Sequence, residues 1–253
     1  MACIRMSLRS RVLDVDTVVN VVIPYDHFDR EGRPKPFTRT LYLLHGLRQN
    51  ADAWQRMSSA ERFANYYGYA LIMPDAQRSF YTDMAHGPRF FTYLTEELPE
   101  IIQAMFKIPA DPAHTYVGGL SMGGYGALKI GLARPTQYAA IGCISAGVSN
   151  NTPDTVALRE LRTGGRPLKD TEEDVPASIA RAAALVKDAP RIYHTIGQED
   201  SLLSSARETR DLLHSYPGDP FHYIYEEKPG KHGWEFCDGA LRDFLQWLSP
   251  APR

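Results

Sequence analysis

Val117-Gly118-Gly119-Leu120-Ser121-Met122-Gly123-Gly124 decides how this chain is read. An apolar run ends there at a serine with glycines two positions before and two after it. A helical pattern, Tyr125-Gly126-Ala127-Leu128-Lys129-Ile130, begins at once. This is the Gly-x-Ser-x-Gly elbow, in which a strand turns sharply into a helix and holds a serine hydroxyl out at the tip. Its flanking positions must be small, because strand and helix backbones nearly touch and the strained turn disfavours Cβ crowding. Such a short motif counts only when strand, turn and helix surround it, and here they do.

Outward from the elbow the pattern alternates. Strand-like apolar runs occur at 40–44, 70–73, 115–117, 140–144, 192–196 and 222–225. Segments of 3.6-residue period lie between most of them, at 53–67, 92–106, 122–133, 204–215 and 234–248. Short, wholly apolar strands separated by helices predict an α/β fold with a mostly parallel central sheet flanked by helices. Two alternating segments, 4–13 and 17–23, predict an N-terminal β-meander, followed by a Pro/Gly/charged loop at 24–36. The segment 150–188 breaks the rhythm. It reads as a small cap or loop excursion between two strands, with a helix over 176–186.

The 253 residues suit one domain spanning 1–253. With 43% hydrophobic and 23% charged residues, the composition is that of an ordinary soluble globular protein. A formal charge of −2 gives no reason to expect nucleic acid or an anionic membrane as partner. Cys3, Cys143 and Cys237 lack metal-site or CxxC spacing, which fits reduced thiols and a cytoplasmic location. No stretch approaches the ~18 apolar residues of a membrane span, and the N-terminus does not read as a signal peptide. The oligomeric state is left open, a homo-oligomer included.

A serine hydroxyl needs a base to take its proton, and the base needs an orienting acid. Where an elbow serine opens the series, acid and base follow in that order, each on a loop after a strand. His214 reads as a helix-face residue and His222 as a strand residue. His232, in Gly230-Lys231-His232-Gly233 between the last strand and the last helix, is the candidate base. The acid should follow the run 192–196, where Gly197-Gln198-Glu199-Asp200 stands; Asp200 is preferred and Glu199 is the alternative. Ser145 also ends a strand, but it lacks the first elbow glycine and no helix follows it. Acyl transfer further requires backbone N–H donors for the carbonyl oxygen. Met122, directly after the serine, should give one. Leu47, in the His45-Gly46-Leu47 turn after an apolar strand, should give the other, with His45 bracing the loop.

Together with Met73-Pro74-Asp75, Ser79-Phe80-Tyr81-Thr82-Asp83-Met84 and Glu96-Glu97-Leu98-Pro99, these motifs resemble the Putative esterase family of the α/β-hydrolases. That branch holds tributyrin-type short-chain carboxylesterases, feruloyl and acetyl esterases, and S-formylglutathione hydrolases of the esterase D type. The Ser-Phe-Tyr-Thr-Asp-Met stretch is most similar to the tributyrin-type enzymes. S-formylglutathione hydrolases usually carry Ser-Gly-Leu at His45-Gly46-Leu47, and many relatives have a small turn where Arg48-Gln49 stands here.

The resemblance implies an α/β-hydrolase fold and hydrolysis of a small-molecule ester without metal or cofactor. Ser121 would attack the carbonyl, His232 would shuttle the proton, Asp200 would orient it, and Leu47 and Met122 would hold the oxyanion. Trp54, Phe80, Tyr81, Phe90, Phe91 and Trp234 fall on or near the loops expected to rim the site. With the family likeness they suggest a short acyl group and an aryl or sugar leaving group. The alternatives are an S-formylglutathione-type thioesterase, a feruloyl or acetyl-sugar esterase, an acyltransferase, and a non-enzymatic binding protein on the same scaffold.

Overall fold

The computed structural model describes residues 1–25, 31–33, 37, 39–149, 158, 160–167, 169, 171, 173–185 and 189–249. Eight strands form one sheet: β1 (Ala2–Ser10), β2 (Val15–Ile23), β3 (Arg39–Leu44), β4 (Tyr69–Pro74), β5 (Thr115–Leu120), β6 (Ala140–Ile144), β7 (Arg191–Gly197) and β8 (Ile224–Lys228). Their spatial order is β1-β2-β4-β3-β5-β6-β7-β8. The pairs β1–β2 and β2–β4 are antiparallel, and every later neighbour is parallel. The N-terminal hairpin and the parallel sheet therefore both match the sequence pattern.

Alternation within a strand sends neighbours to opposite faces. In β3, Leu41 and Leu43 join one core, while Tyr42 and Leu44 join the other. The first core is covered by α2 (Ala60–Tyr67) and α8 (Trp234–Leu248). The second is covered by α4 (Leu98–Phe106), α5 (Met122–Ala133) and α6 (Val175–Ala183). The chain also forms α1 (Ala53–Met57) before α2, and α3 (Phe90–Thr92) and α7 (Leu203–His214) between α2 and α8. No described helix is long and apolar enough to cross a membrane.

Where sequence and structure differ, hydrogen bonding explains the difference. The helix expected over 53–67 breaks at Ser58-Ser59. The Ser58 hydroxyl donates to the Trp54 carbonyl at 2.6 Å, and Asp238 accepts the Ser59 N–H at 2.6 Å. Such local serine bonds compete with the helix ladder. The helix expected over 92–106 carries a π turn at Tyr93–Glu97 between α3 and α4. Pro99 lacks the N–H that would bond the Thr95 carbonyl, which instead accepts from Gln137 at 3.4 Å. The strand expected over 222–225 starts at Ile224. Asp219 captures the His222 and Tyr223 amides at 3.2 and 2.9 Å, leaving His222 exposed with φ 41°.

Of the excursion 150–188, residues 150–157, 159, 168, 170, 172 and 186–188 lie outside the described residues. The described remainder includes α6, close to the helix expected at 176–186, and it is held by a buried charge cluster. Glu173 accepts from Arg162 at 3.0 Å, from Tyr125 at 3.1 Å, and from Lys129 and Thr82. Lys129 is fully buried within α5 and also donates to the Phe80 carbonyl at 2.7 Å. Burial alone would raise the Glu173 carboxyl. The Lys129 and Arg162 charges outweigh it and hold the group below the usual carboxylate range.

His194, on β7, is equally buried. Its two ring nitrogens sit 2.8 Å from the Tyr223 hydroxyl and the Ala146 carbonyl, an arrangement met by a neutral ring that donates to the carbonyl. Desolvation lowers it from an ordinary 6.5 to about 4. The unfolded chain takes up this proton below pH 6.5, whereas the folded chain refuses it until about pH 4. Stability is thus full above pH 6.5 and falls as pH drops toward 4, by on the order of 3 kcal/mol at most. Urea midpoints measured against pH should show that slope, and His194→Gln should flatten it. Glu173→Ala strands two buried cations and should cost about 3–5 kcal/mol at neutral pH. A cost within error would remove the cluster from the fold's supports.

Candidate active site

Ser121 sits between β5 and α5 at φ 55° and ψ −119°, a strained position for a residue with a Cβ. Its N–H donates to the Ile144 carbonyl at 2.9 Å, and its carbonyl accepts the Tyr125 N–H at 3.0 Å. The turn needs glycine at 123. A Cβ there would stand 2.3 Å from the Leu44 carbonyl oxygen, so any side chain would push α5 off β3.

Two loops bring the partners to this serine. The turn after β7 and the loop after β8 are laced together by Gln198 N–H to Lys228 O at 2.8 Å and Glu199 N–H to Gly230 O at 3.0 Å. Gly197 permits the crossing, since a Cβ would meet the Gly230 carbonyl at 2.3 Å. Asp200 turns inward with a fully buried carboxylate, which accepts the Leu202 N–H at 2.8 Å. Glu199 turns outward and lies 3.6 Å from Lys231. The geometry therefore brings Asp200, and not Glu199, to the histidine.

Both Asp200 oxygens lie 2.9 Å from His232 Nδ1, and His232 Nε2 lies 2.9 Å from Ser121 Oγ. A carboxylate on Nδ1 places the ring proton there and leaves Nε2 free to accept the serine hydroxyl's hydrogen. Such an arrangement can transfer a proton from Ser121 and later return it to a leaving group.

His45 occupies a different position. It is fully buried. Nε2 accepts the Ala76 N–H at 3.0 Å, and Nδ1 meets the Gly46 carbonyl at 2.8 Å. Tyr81 donates its hydroxyl to the His45 carbonyl at 2.6 Å. With both nitrogens used, the ring braces the loop after β3. Gln49 closes the loop from the other side by accepting the Gly46 N–H at 2.8 Å.

A cavity of about 420 Å³ is lined by Ser121 and His232 together with Leu47, Arg48, Gln49, Leu120, Trp234 and Cys237. Burial pushes the Cys237 thiol up to about 12, so it stays neutral. Among the aromatic residues expected at the rim, only Trp234 lines this cavity. Trp54 is buried behind it, edge-on at 5.1 Å, with its indole N–H on the Leu44 carbonyl at 3.0 Å. Phe80, Tyr81, Phe90 and Phe91 are core residues on the other side of the elbow. Met122 begins α5 directly after Ser121, with its side chain buried. The pocket residues Ser201 and Cys237 carried no sequence signal of their own, and Arg48-Gln49 stood out only as a bulky pair where many relatives have a small turn. Among the described residues, no group of three or more His, Cys, Asp or Glu side chains could share a metal ion.

Residues 10–244 match the family model described as Putative esterase. The chain belongs to that family. It is an esterase, an enzyme acting on carboxylic ester bonds. It is 27% identical to an acetyl esterase of Caldicellulosiruptor saccharolyticus, with 98% of each chain covered. Among solved structures it is similar to the fluorophosphonate-binding serine hydrolase FphF of Staphylococcus aureus, with 28% identity, 98% of each chain covered and a TM-score of 0.85. It is also similar to the S-formylglutathione hydrolase FrmB of the same organism, with 27% identity, 98% of each chain and a TM-score of 0.80. The esterase's eight-stranded sheet and flanking helices are thus those of serine hydrolases of the α/β-hydrolase type.

Removing the brace should disturb the site more than the fold. His45→Ala leaves the Ala76 N–H without its acceptor and the Gly46 carbonyl with only the Gln49 N–H, costing about 1–3 kcal/mol. Esterase kcat/KM should fall by roughly ten- to a hundredfold because the loop loses its register. Wild-type turnover in a folded His45→Ala variant would assign the ring to packing alone.

Proposed function

We propose that the protein is a serine carboxylesterase for short-chain acyl esters, working through a Ser121–His232–Asp200 triad and an acyl-enzyme. The observation that carries this reading is the unbroken chain of hydrogen bonds, each 2.9 Å, from Ser121 Oγ through the imidazole to both Asp200 oxygens. Ser121 attacks the ester carbonyl while His232 Nε2 takes its proton. Asp200 holds the ring and stabilises the imidazolium without itself becoming protonated. The tetrahedral oxyanion sits between the backbone N–H groups of Leu47 and Met122. The latter opens α5, so the helix N-terminus adds favourable partial charge. His232 then protonates the departing alcohol, and water resolves the acyl-enzyme by the same route.

A short acyl chain suits a cavity of about 420 Å³ walled by Leu120, Trp234 and Cys237. That volume lies toward the lower end of the range for small-molecule sites. The curated relative is an acetyl esterase, which supports the same direction. Thioester hydrolysis is the second reading, favoured by the likeness to the staphylococcal S-formylglutathione hydrolase.

Ser121→Ala should lower p-nitrophenyl acetate turnover by about 10⁴-fold or more, with an unchanged melting transition. Retained activity would end the assignment of the nucleophile. In a p-nitrophenyl series, kcat/KM should fall from acetate or butyrate to laurate, and a rise would overturn the acyl preference. A kcat/KM for S-formylglutathione far above that for p-nitrophenyl acetate would establish the thioester reading instead.

A further inference from the structure

A second hollow of about 400 Å³ lies beside the Ser121 cavity, and the two share Arg48, Gln49 and Trp234 in their linings. Residues that line both spaces form the wall between them. The rest of the second hollow comes from α1 and the turn before it, where Ala53 and Met57 supply apolar surface. Met57 is 52% exposed, so this hollow is not filled by the core.

Within the shared wall, Trp234 is the part held in place by packing. Its indole meets Trp54 edge-on, with ring centroids 5.1 Å apart and planes at 89°. Trp54 is itself fixed, being buried and donating its indole N–H to the Leu44 carbonyl at 3.0 Å. Gln49 has a different task, since it accepts the Gly46 N–H in the loop after β3. Trp234 is also the first residue of α8, where a smaller side chain leaves the helical hydrogen bonds intact.

We propose that Trp234 sets the acyl-length limit of the enzyme. Its indole stops the chain at the end of the Ser121 cavity, and the second hollow is the space that a longer chain enters once the indole is gone. Short-chain preference is then the property of one side chain rather than of the fold. Each methylene moved from water onto apolar surface favours binding by about fourfold, and a chain halted at Trp234 forfeits that gain for every further carbon. The inference rests on the Ser121 reading, because chain length is counted from the carbonyl which that serine attacks.

The test compares kcat/KM for p-nitrophenyl butyrate and p-nitrophenyl octanoate in the wild type, Trp234→Phe and Trp234→Ala. The octanoate-to-butyrate ratio should rise by about tenfold or more in Trp234→Ala, with Trp234→Phe between it and the wild type. Taking the ratio within one variant cancels any loss of folded enzyme or of His232 placement, which both substrates share. A ratio unmoved in Trp234→Ala overturns the proposal.

Adding Met57→Glu to Trp234→Ala should return the ratio toward the wild-type value, because the longer chain would meet a carboxylate. A double variant that keeps the whole gain overturns the second hollow as the chain's destination. Ethyl and hexyl acetate vary the alcohol instead, and their ratio should stay at its wild-type value in Trp234→Ala. A gain there in place of the acyl series overturns the assignment to the acyl side. Ser121→Ala should abolish turnover of all four esters. A flat ratio with Ser121-dependent turnover is a failure of Trp234 alone, whereas turnover that survives Ser121→Ala is a failure of the triad.

Discussion

The site depends on one backbone contact, the approach of α5 to the end of β3 at Gly123 and Leu44. Because nothing larger than hydrogen fits between them, the chain must turn from strand to helix within Ser121, which is left at φ 55°. The same approach fixes where β3 ends and the loop His45–Gln49 begins. The proposed nucleophile and the proposed oxyanion loop are thus set by a single steric constraint. The strain at Ser121 costs of order 1–3 kcal/mol and persists only because the surroundings over-determine it. Here the Ile144 carbonyl, the Tyr125 amide and a helix buried from Met122 to Leu132 do so.

Burying α5 on every side creates its own electrostatic demand. Lys129 lies in the middle of the helix with no path to water, and a lone buried ammonium would neutralise itself or unfold the region. Glu173 answers it from the excursion, and Thr82 and the Phe80 carbonyl supply the remaining acceptors. None of the excursion's described residues lines the Ser121 cavity. Its described part acts from behind, by clamping α5, the helix that follows Ser121, to the loop at Ser79–Asp83.

Local features were legible in the sequence because their chemistry is local. The elbow, the His45-Gly46-Leu47 turn and the histidine loop each combine residue types that few backbone conformations accommodate. The choice between Glu199 and Asp200 was not legible. Adjacent loop residues point apart, and the crossing of Gly197 with Gly230 selects which one faces His232. The aromatic rim misled for a similar reason. Nothing local distinguishes Tyr81, whose hydroxyl braces His45, from Trp234, which faces the cavity. The pairing of Lys129 with Glu173, 44 residues apart, likewise exists only in the folded chain. The π turn, by contrast, had its cause in plain view at Pro99.

The loop after β3 shows how one side chain can serve two purposes. A glycine-rich turn would reach the oxyanion position by backbone freedom alone. This chain has Arg48-Gln49 instead, with Arg48 in the left-handed region at φ 70°. The Gln49 amide compensates by accepting the Gly46 N–H, while Gln49 N–H returns to the Gly46 carbonyl at 3.3 Å. The clasp consumes the glycine's donor and leaves the next amide, that of Leu47, in the turn that walls the cavity. A turn closed by a side chain rather than by glycine also tolerates a bulky neighbour, so Arg48 can stand where the two cavities meet. The closure of the proposed oxyanion turn and the bulk of the wall shared by the two cavities therefore follow from the same two residues.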